Sequence, residues 1–384
     1  MVRNFTGMLI AFALWHAQAA QAVPAGTSMA MQVDDVVAKD MAARHTPGAS
    51  VAVIKDGKVV LEKSYGVASV ELNVPATNAT LYPLASTTKE FTGVAIMTLV
   101  EQGKISLDDS VRTYLPELPV SWAPVTIRHC LSHTSGLPDN VADDSVNVLP
   151  LAGTRADLMA LLATRPVKTP GASMVYNQTG FMLLGEIIAR VSGMPYESYI
   201  NNRLLKPLGI TGLQWGDTWT LIPGRASLYT ALQPTADHSK LQLDAKGAPV
   251  MSTDGIHPFG SKIATEWLMP AAGLSGNIEA MSTWEKALWT GKVIKPASLT
   301  LMTKPYVMSD GKTGDFGLAL MHDSQQGHVT VHTGGGAAVW ITTIPDQHLT
   351  VIVLTNLQAS QPYKLVAGIL DVYLGTSTKL KNDS

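Results

Sequence analysis

The alternation of apolar and polar positions predicts strands at both ends of the chain. Near the start, residues 48–69 form two β-rich runs around Asp56-Gly57, a dipeptide typical of a two-residue hairpin turn. After residue 275 four more β-rich runs are separated by turn residues, and the last two flank the turn sequence PDQH. These runs cover residues 316–322, 328–334, 338–345 and 349–356.

Between these two groups of strands, the apolar positions recur with the period of an α-helix. Residues 88–102 have an apolar face that includes Phe91 and Leu99, and Gly103 is a typical residue to end such a helix. Residues 177–193 give the clearest helix of the middle region, and residues 363–375 predict a closing amphipathic helix. The stretch 214–275 has weak periodicity and predicts a long loop, which we expect its tryptophans to anchor: Trp215, Trp219 and Trp267.

This order of elements predicts an α+β fold in one domain, residues 23–384. Strands from both termini would form one sheet flanked by helices, drawn from about 35–95 and 275–375. The residues between, about 96–274, would be a mainly helical insertion packed against the edge of that sheet.

The composition and the N-terminal residues limit the classes of function that the protein could have. The 384 residues are 46% hydrophobic and carry a net charge of −2 without basic clusters, which argues against nucleic acid or an anionic membrane surface as partner. Residues 1–22 have a basic Arg3, an apolar segment at 8–15 and the small-residue pattern AQA at 20–22, as in a cleaved signal peptide. We therefore expect a periplasmic or secreted protein with no stable membrane span, since this apolar segment is too short to cross a bilayer. Nothing in the sequence indicates an oligomeric state.

Several other kinds of site find little support in the chain. Cys130 is the only cysteine, and we expect it to be a small buried residue. His129 and His133 have a spacing that a zinc site could use, but no glutamate lies between them as the zinc-protease signature requires. The residues therefore give little support for a metal site. G-x-S-x-G, Walker and G-x-G-x-x-G patterns are absent as well.

Ser86 and Lys89, at the start of the helix predicted at 88–102, could be a nucleophile and its base or ordinary polar residues of a helix start. Residues three apart on a helix share a face, so the lysine amine could reach the serine hydroxyl and act as its base if burial lowers the lysine pKa. A plain structural interpretation competes, because Thr87 and Glu90 match a helix capping box. The S-x-x-K pattern also recurs in SDGK, residues 309–312, within a turn that no helix follows.

Two further segments favour the chemical interpretation. VHTGGG, residues 331–336, has glycines at the end of a predicted strand, where backbone N–H groups could stabilise an oxyanion. Tyr176 follows a Pro-Gly turn just before a predicted helix, where a tyrosine beside a cation could relay protons.

Taken together, these motifs resemble those of the serine β-lactamase and penicillin-binding-protein superfamily, in its class C β-lactamase, DD-peptidase and esterase branch. STTK at 86–89 matches its S-x-x-K, YNQ at 176–178 falls where it has Y-x-N, and HTG at 332–334 falls where it has K-T-G or H-x-G. The resemblance runs from about residue 35 to 375. It also covers three longer segments: 103–119, 127–139 and 179–193.

The resemblance implies an antiparallel sheet flanked by helices, a mainly helical region, and a site at their junction. It implies that Ser86 attacks a carbonyl carbon and that Lys89 and Tyr176 share the proton, without deciding which of the two is the base. The backbone N–H groups of Ser86 and Gly335 would form the oxyanion hole. The resemblance implies no metal or organic cofactor. Substrate contacts are expected from four residues: Gln178, His332, Thr333 and Gly334.

Three departures from the family pattern bear on the substrate. Gln178 stands in place of asparagine, His332 in place of lysine, and Ala337-Ala338 where another glycine is expected. A histidine is mostly neutral at neutral pH, so a substrate carboxylate should be held less well; if its cation does bind an anionic substrate, KM should rise between about pH 6 and 8. We therefore predict an exported acyl-enzyme hydrolase of esters or small amides. The alternatives are a D-alanyl-D-alanine carboxypeptidase, a class C-type β-lactamase, or a catalytically weak penicillin-binding sensor.

Overall fold

The computed structural model describes most of the chain beyond residue 27. The described residues are 28–140, 154–216, 220–233, 235, 242, 244, 250–253, 255–258, 266–336 and 338–375. The signal peptide predicted at 1–22 lies outside them, as does Trp219. The limits proposed for the domain, the sheet regions and the insertion remain predictions.

A seven-stranded antiparallel sheet, in the order β3-β2-β1-β12-β11-β10-β9, forms the centre of the fold. Strand β1 pairs with β12, so the two ends of the chain build one sheet, as predicted. Two three-stranded sheets, β4-β8-β5 and β13-β6-β7, lie outside it. The strands are β1 (Gly48–Lys55), β2 (Lys58–Ser69), β3 (Val74–Pro75), β4 (Tyr82–Pro83), β5 (Leu213–Trp215), β6 (Tyr229–Thr230), β7 (His257–Pro258), β8 (Leu274–Gly276), β9 (Met321–Gln325), β10 (His328–Gly335), β11 (Val339–Ile344), β12 (Leu349–Thr355) and β13 (Leu357–Gln358).

Helices cover the sheet, and several others lie in the part of the chain between its two halves. They are α1 (Met29–Arg44), α2 (Thr88–Glu101), α3 (Val111–Tyr114), α4 (Ile127–Leu131), α5 (Arg155–Ala163), α6 (Thr179–Ser192), α7 (Tyr196–Tyr199), α8 (Met269–Ala272), α9 (Ile278–Trp289), α10 (Pro296–Met302) and α11 (Pro362–Leu374). A π-helical stretch, Ile200–Leu205, follows α7, and a 3₁₀ turn, Ala85–Thr87, leads into α2. This architecture is the α+β arrangement that the sequence predicted. Among the described residues, no helix combines the length and apolarity needed to cross a bilayer.

Both faces of the sheet are buried, which explains why its central strands are apolar at nearly every position. Val51 and Val53 of β1 join one apolar cluster with α1 and α11. Ala52 and Ile54, which point the opposite way because strand side chains alternate, join the larger cluster with α2, α6 and α9. We call these the α11 face and the α2 face of the sheet.

Most predicted boundaries agree with the structure. Asp56 and Gly57 have φ angles of 51° and 70°, the positive values that a tight hairpin between β1 and β2 needs. Helix α2 ends at Glu101 with Gly103 at φ 67°, and Cys130 is buried. Helix α2 is buried around almost its whole circumference rather than on one face, because it passes through the centre of the larger cluster.

The strand predicted at 316–322 is misplaced. The strand β9 begins only at Met321, and the apolar residues before it form an irregular turn that contains Ala319 at φ 65°. Ala319 donates its N–H to the Leu131 carbonyl, and Leu318 and Leu320 are buried. The apolar pattern therefore reflects burial of a turn against α4 rather than a pleated strand.

Two buried carboxyl groups pair between α2 and α9. Burial raises the pKa of Glu90 to about 7 and raises that of Glu285 well above its usual range, and the two side chains hydrogen-bond to each other. Glu90 also accepts from the Trp284 indole at 2.6 Å. Because two carboxylates repel, the pair needs a bound proton, which Glu285 donates to Glu90.

This pair should make the folded state less stable as pH rises. Carboxyl groups with raised folded pKa values hold protons that the unfolded chain releases above about pH 4.5, so their contribution falls as pH rises from there through about 7. In Glu285→Gln an amide N–H replaces the proton at every pH, so the unfolding free energy of this variant should fall less between pH 5 and 8 than that of the parent. Denaturant titrations at both pH values measure this, with Glu279→Gln, an exposed site on the same helix, as control. Parallel pH dependence in parent and variant would contradict the shared proton.

Candidate active site

The turn that carries Ser86 is held in an unusual backbone conformation. Ala85 has φ 45°, a left-handed conformation that costs a non-glycine residue on the order of 1 kcal/mol. The neighbouring Leu84 donates its N–H to Leu274, at the end of the β4–β8 pairing. This pairing fixes the turn and places Ser86 at the N-terminus of α2.

The capping box that Thr87 and Glu90 could have formed is absent. Thr87 makes no capping hydrogen bond from its side chain, and its Oγ1 is buried without a partner in the described structure. The Glu90 carboxyl instead accepts from Trp284. The capping box between Thr87 and Glu90, on which the purely structural interpretation depended, is therefore not formed.

Lys89 lies against Ser86 as the three-residue spacing predicts. Its Nζ donates to Ser86 Oγ at 3.1 Å and to the Ala271 carbonyl at 2.9 Å. Burial lowers the pKa of Lys89 to about 7, while the Asp139 carboxylate opposes this shift. At neutral pH a large fraction of this amine is therefore uncharged and able to accept a proton from the serine hydroxyl.

Tyr176 completes a cluster on the other side of Lys89. Lys89 Nζ is 4.9 Å from the centre of the Tyr176 ring, and the phenol hydrogen-bonds with Ser86 and Gln178. The residue is 41% exposed overall, since one side of its ring faces the cavity. Burial around its hydroxyl raises the pKa of Tyr176 above its usual value of 10, so the phenol is protonated at neutral pH.

Strand β10 approaches Ser86 closely through Gly335. A Cβ atom at Gly335 would lie 2.0 Å from the Leu84 carbonyl oxygen and 2.9 Å from the Ser86 backbone nitrogen. Only glycine allows this approach, which brings the two backbones predicted to form the oxyanion hole together. Thr333 and Gly334 lie in the same strand and line the same cavity.

His332 is placed differently from what its sequence position suggested. Its ring nitrogens hydrogen-bond with the hydroxyls of Thr330 and Thr342, each at 2.8 Å, on the α11 face of the sheet. Burial lowers the pKa of His332 to about 4. The imidazole is therefore neutral across the physiological range, and this structure does not support the KM rise considered for its cation between pH 6 and 8.

The cavity beside Ser86 has a volume of about 530 Å³ and is mostly apolar. Trp215 lies outside it, with its ring nitrogen donating to Asn201 and its ring against Tyr196, and Trp267 packs against the main core. These two tryptophans anchor the chain as expected. Ala337 lies outside the described residues, so the expected narrowing there stays a prediction.

Sequence reasoning missed two polar residues next to this cluster. Asp139 accepts the N–H of Gln178 at 3.0 Å and supplies the negative charge near Lys89. His133 is buried beside Tyr176, with ring centres 4.3 Å apart, and its Nδ1 accepts the Asn177 N–H at 3.1 Å. Both lie in the segment 127–139, but only the fold brings that segment against residue 176. Within the described ranges no cluster of metal-ligating side chains is present.

The lowered pKa of Lys89 predicts a pH profile. If the neutral Lys89 amine is the base, kcat/KM for an uncharged ester should rise with pH and level off above about 7. Asp139 raises the pKa of Lys89, so Asp139→Asn should move this rising limb of the pH profile to lower pH. Stopped-flow assays from pH 5 to 11 measure the limb. A limb only above pH 10 would instead make the ionised Tyr176 the base, since its pKa is raised from 10.

Comparisons with known proteins agree with this fold. The protein-family model described as Beta-lactamase matches residues 33–373. Protein flp of Staphylococcus aureus is 28% identical over 345 residues; the match covers 87% of this chain, which spans only 64% of the length of that relative.

Two solved structures share the architecture. The octameric penicillin-binding protein homologue from Pyrococcus abyssi has a TM-score of 0.71 at 28% identity, covering 90% of this chain and 77% of that one. The D-amino acid amidase from Ochrobactrum anthropi SV3 has a TM-score of 0.74 at 22% identity, covering 91% and 100%, and it supports the fold alone. Because the family match extends over nearly all of the described structure, the chain belongs to the Beta-lactamase family.

Proposed function

We propose that this protein is an exported serine hydrolase that cleaves esters or small amides through an acyl-enzyme on Ser86. The observation that carries the proposal is the 3.1 Å contact between Ser86 Oγ and the buried Lys89 amine, whose pKa is lowered to about 7. A serine becomes a nucleophile at neutral pH only when such a base lies within hydrogen-bond reach. Export rests on the sequence of residues 1–22 alone.

The first half of the reaction acylates Ser86. The Ser86 hydroxyl gives its proton to the Lys89 amine while its oxygen bonds to the substrate carbonyl carbon. The N–H groups of Ser86 and Gly335 bind the oxyanion that forms. The bond to the leaving alcohol or amine then breaks, and the leaving group takes a proton through Lys89 and the Tyr176 hydroxyl.

The second half regenerates the enzyme. A water molecule gives a proton to the same Lys89 amine and attacks the acyl carbon. The Ser86–acyl bond breaks, Ser86 recovers a proton, and the carboxylic acid leaves. Tyr176, protonated at neutral pH, can pass protons between Lys89 and the leaving group without having to ionise first.

The charges around the cavity favour esters and small amides over β-lactams and carboxylate-ended peptides. His332 stands where the resemblance expects a lysine, and its neutral ring is already bonded to two threonine hydroxyls. Among the described residues lining the cavity, Lys89 is the one formally basic side chain besides that histidine, and its amine is occupied by the reaction. A substrate carboxylate therefore finds no fixed cation there. That the same fold carries a D-amino acid amidase is compatible with amide substrates.

A substrate panel tests this proposal. p-Nitrophenyl acetate and butyrate, D-amino acid amides and a chromogenic cephalosporin would be assayed side by side with the parent and Ser86→Ala. We expect ester or amide turnover that Ser86→Ala removes, and weak or no turnover of the cephalosporin. A stable stoichiometric adduct without turnover would instead identify a sensor, and efficient cephalosporin hydrolysis would overturn the substrate assignment.

A further inference from the structure

The cavity at Ser86 extends around the end of β10 to the other face of the sheet. One part is lined by Ser86, Lys89 and Tyr176, and the part at the far end by Trp340 and Tyr363. Both aromatic residues belong to the α11 face: Trp340 packs against the α1/α11 cluster, and Tyr363 lies in the first turn of α11. We call this second part the aromatic lobe.

The glycines at the end of β10 form a rim between the two parts. The pairing of β10 with β9 ends at His332–Met321, and no strand in the described part of the chain covers that edge of β10 beyond this point. Gly334 and Gly335 point to opposite faces, since a Cβ at Gly334 would meet the Trp340 indole at 2.4 Å whereas one at Gly335 would meet the Leu84 carbonyl. A rim without side chains lets an extended substrate pass from Ser86 across to the indole.

The walls of the aromatic lobe are rings in contact. The Trp340 ring centre is 6.1 Å from that of Tyr363, at an interplanar angle of 65°, and 5.5 Å from that of His332. Tyr363 is 47% exposed, so a substrate group could still bury part of its ring. Edge-to-face rings of this kind gain further stabilisation when another ring or apolar group packs on them.

The charged groups nearest the aromatic lobe lie behind it, around the Asp40 carboxylate. Arg44 binds the Asp40 carboxylate at 2.8 Å and donates to the Gln361 amide oxygen at 3.2 Å. Lys364, next to Tyr363, interacts with the same Asp40. His332 is neutral because both ring nitrogens bond to threonines and burial lowers its pKa. Among the described residues that line the aromatic lobe, none therefore presents a charged side chain that would select an ionised group.

We infer that the aromatic lobe is a specificity subsite that binds an uncharged aryl or bulky apolar substituent of the substrate held on Ser86. The inference rests on the proposed function, and it adds the substrate class: neutral esters or amides that carry such a group a few bonds from the scissile carbonyl. Trp340 and Tyr363 are the residues that determine this specificity.

Kinetics with matched substrates test the subsite. p-Nitrophenyl acetate would be compared with the p-nitrophenyl ester of 4-phenylbutyrate and with two charged analogues, in which a carboxylate or an ammonium group replaces the phenyl ring. Phenethyl acetate would test a phenyl group on the alcohol side of the ester. We expect kcat/KM for a phenyl-bearing substrate to exceed that of the charged analogues and of acetate by about tenfold. Tyr363→Ala and Trp340→Leu should remove this preference, because each should lower kcat/KM for the phenyl-bearing substrate far more than kcat/KM for acetate. Tyr373→Ala, on the same helix but outside the lining residues, is the control.

The results separate the two proposals. Acetate hydrolysis that depends on Ser86, without any phenyl preference, would overturn the aromatic lobe and leave the proposed function standing. A preference for the carboxylate or ammonium analogue would also overturn it. If no ester is turned over, calorimetric titration would compare the binding of 4-phenylbutanamide with that of 4-phenylbutyrate. Tighter binding of the neutral amide, weakened by Tyr363→Ala, would support the subsite. Equal binding of the two compounds, or no binding, would contradict it.

Discussion

Lys89→Met should lower kcat/KM for p-nitrophenyl acetate by roughly 10³- to 10⁴-fold. Methionine fills the space of the buried lysine stem but cannot accept the Ser86 proton. The Ala271 carbonyl and the Ser86 hydroxyl would lose the amine that now bonds both, at 2.9 and 3.1 Å. Lys89→Arg should be impaired as well, because a guanidinium stays protonated at any accessible pH.

The chain supplies a matched control for this substitution. Lys312 follows Ser309 with the same S-x-x-K spacing, but it lies in an exposed turn and pairs with Asp310 at 2.8 Å. Lys312→Met should therefore leave kcat/KM unchanged. Comparable losses in the two variants, or full activity in a folded Lys89→Met protein, would show that Lys89 is not the base.

Gly335→Ala should lower kcat by roughly 10²- to 10³-fold, as removal of an oxyanion-hole donor does. The added methyl group would lie 2.0 Å from the Leu84 carbonyl oxygen, and a backbone atom cannot move aside as a flexible side chain can. Strand β10 would shift away from Ser86 and misplace the Gly335 N–H. Steady-state kinetics with p-nitrophenyl acetate measure the loss, which should fall mainly on kcat.

Gly327→Ala separates this effect from a general loss of stability. Gly327 lies at the other end of the hairpin that leads into β10, has φ 83° and has open space around its missing Cβ. Alanine there should cost about 1 kcal/mol of stability because of the left-handed backbone, with kcat unchanged. A Gly335→Ala protein with normal kcat would refute the predicted oxyanion hole.

The strands and the main helices could be predicted because their signals are local. The turn at Asp56-Gly57 and the helix end at Gly103 depend on backbone conformations that few residue types adopt. The contact of Ser86 with Lys89 follows from helical spacing alone. The turn before β9 could not be predicted, since burial against α4 produces the same apolar pattern as a strand.

The electrostatics of the site could not be predicted from motifs. His332 suggested a titratable substrate contact, but Thr330 and Thr342, brought beside it by strand pairing, hold it neutral on the α11 face. Asp139 and His133 were part of a recognised segment, and only the packing of that segment against α6 shows their place beside Lys89 and Tyr176. Such effects depend on neighbours that are distant in sequence.

The most direct test of the central claim is to trap the acyl-enzyme and map it. The parent would be mixed with a slowly deacylating ester, quenched in acid and measured by intact mass spectrometry, then digested to locate the adduct. The activated-serine mechanism predicts one acyl group per chain, on the peptide that contains Ser86, and no adduct or turnover in Ser86→Ala. Ester hydrolysis by Ser86→Ala at the rate of the parent, or an adduct on another residue, would contradict it.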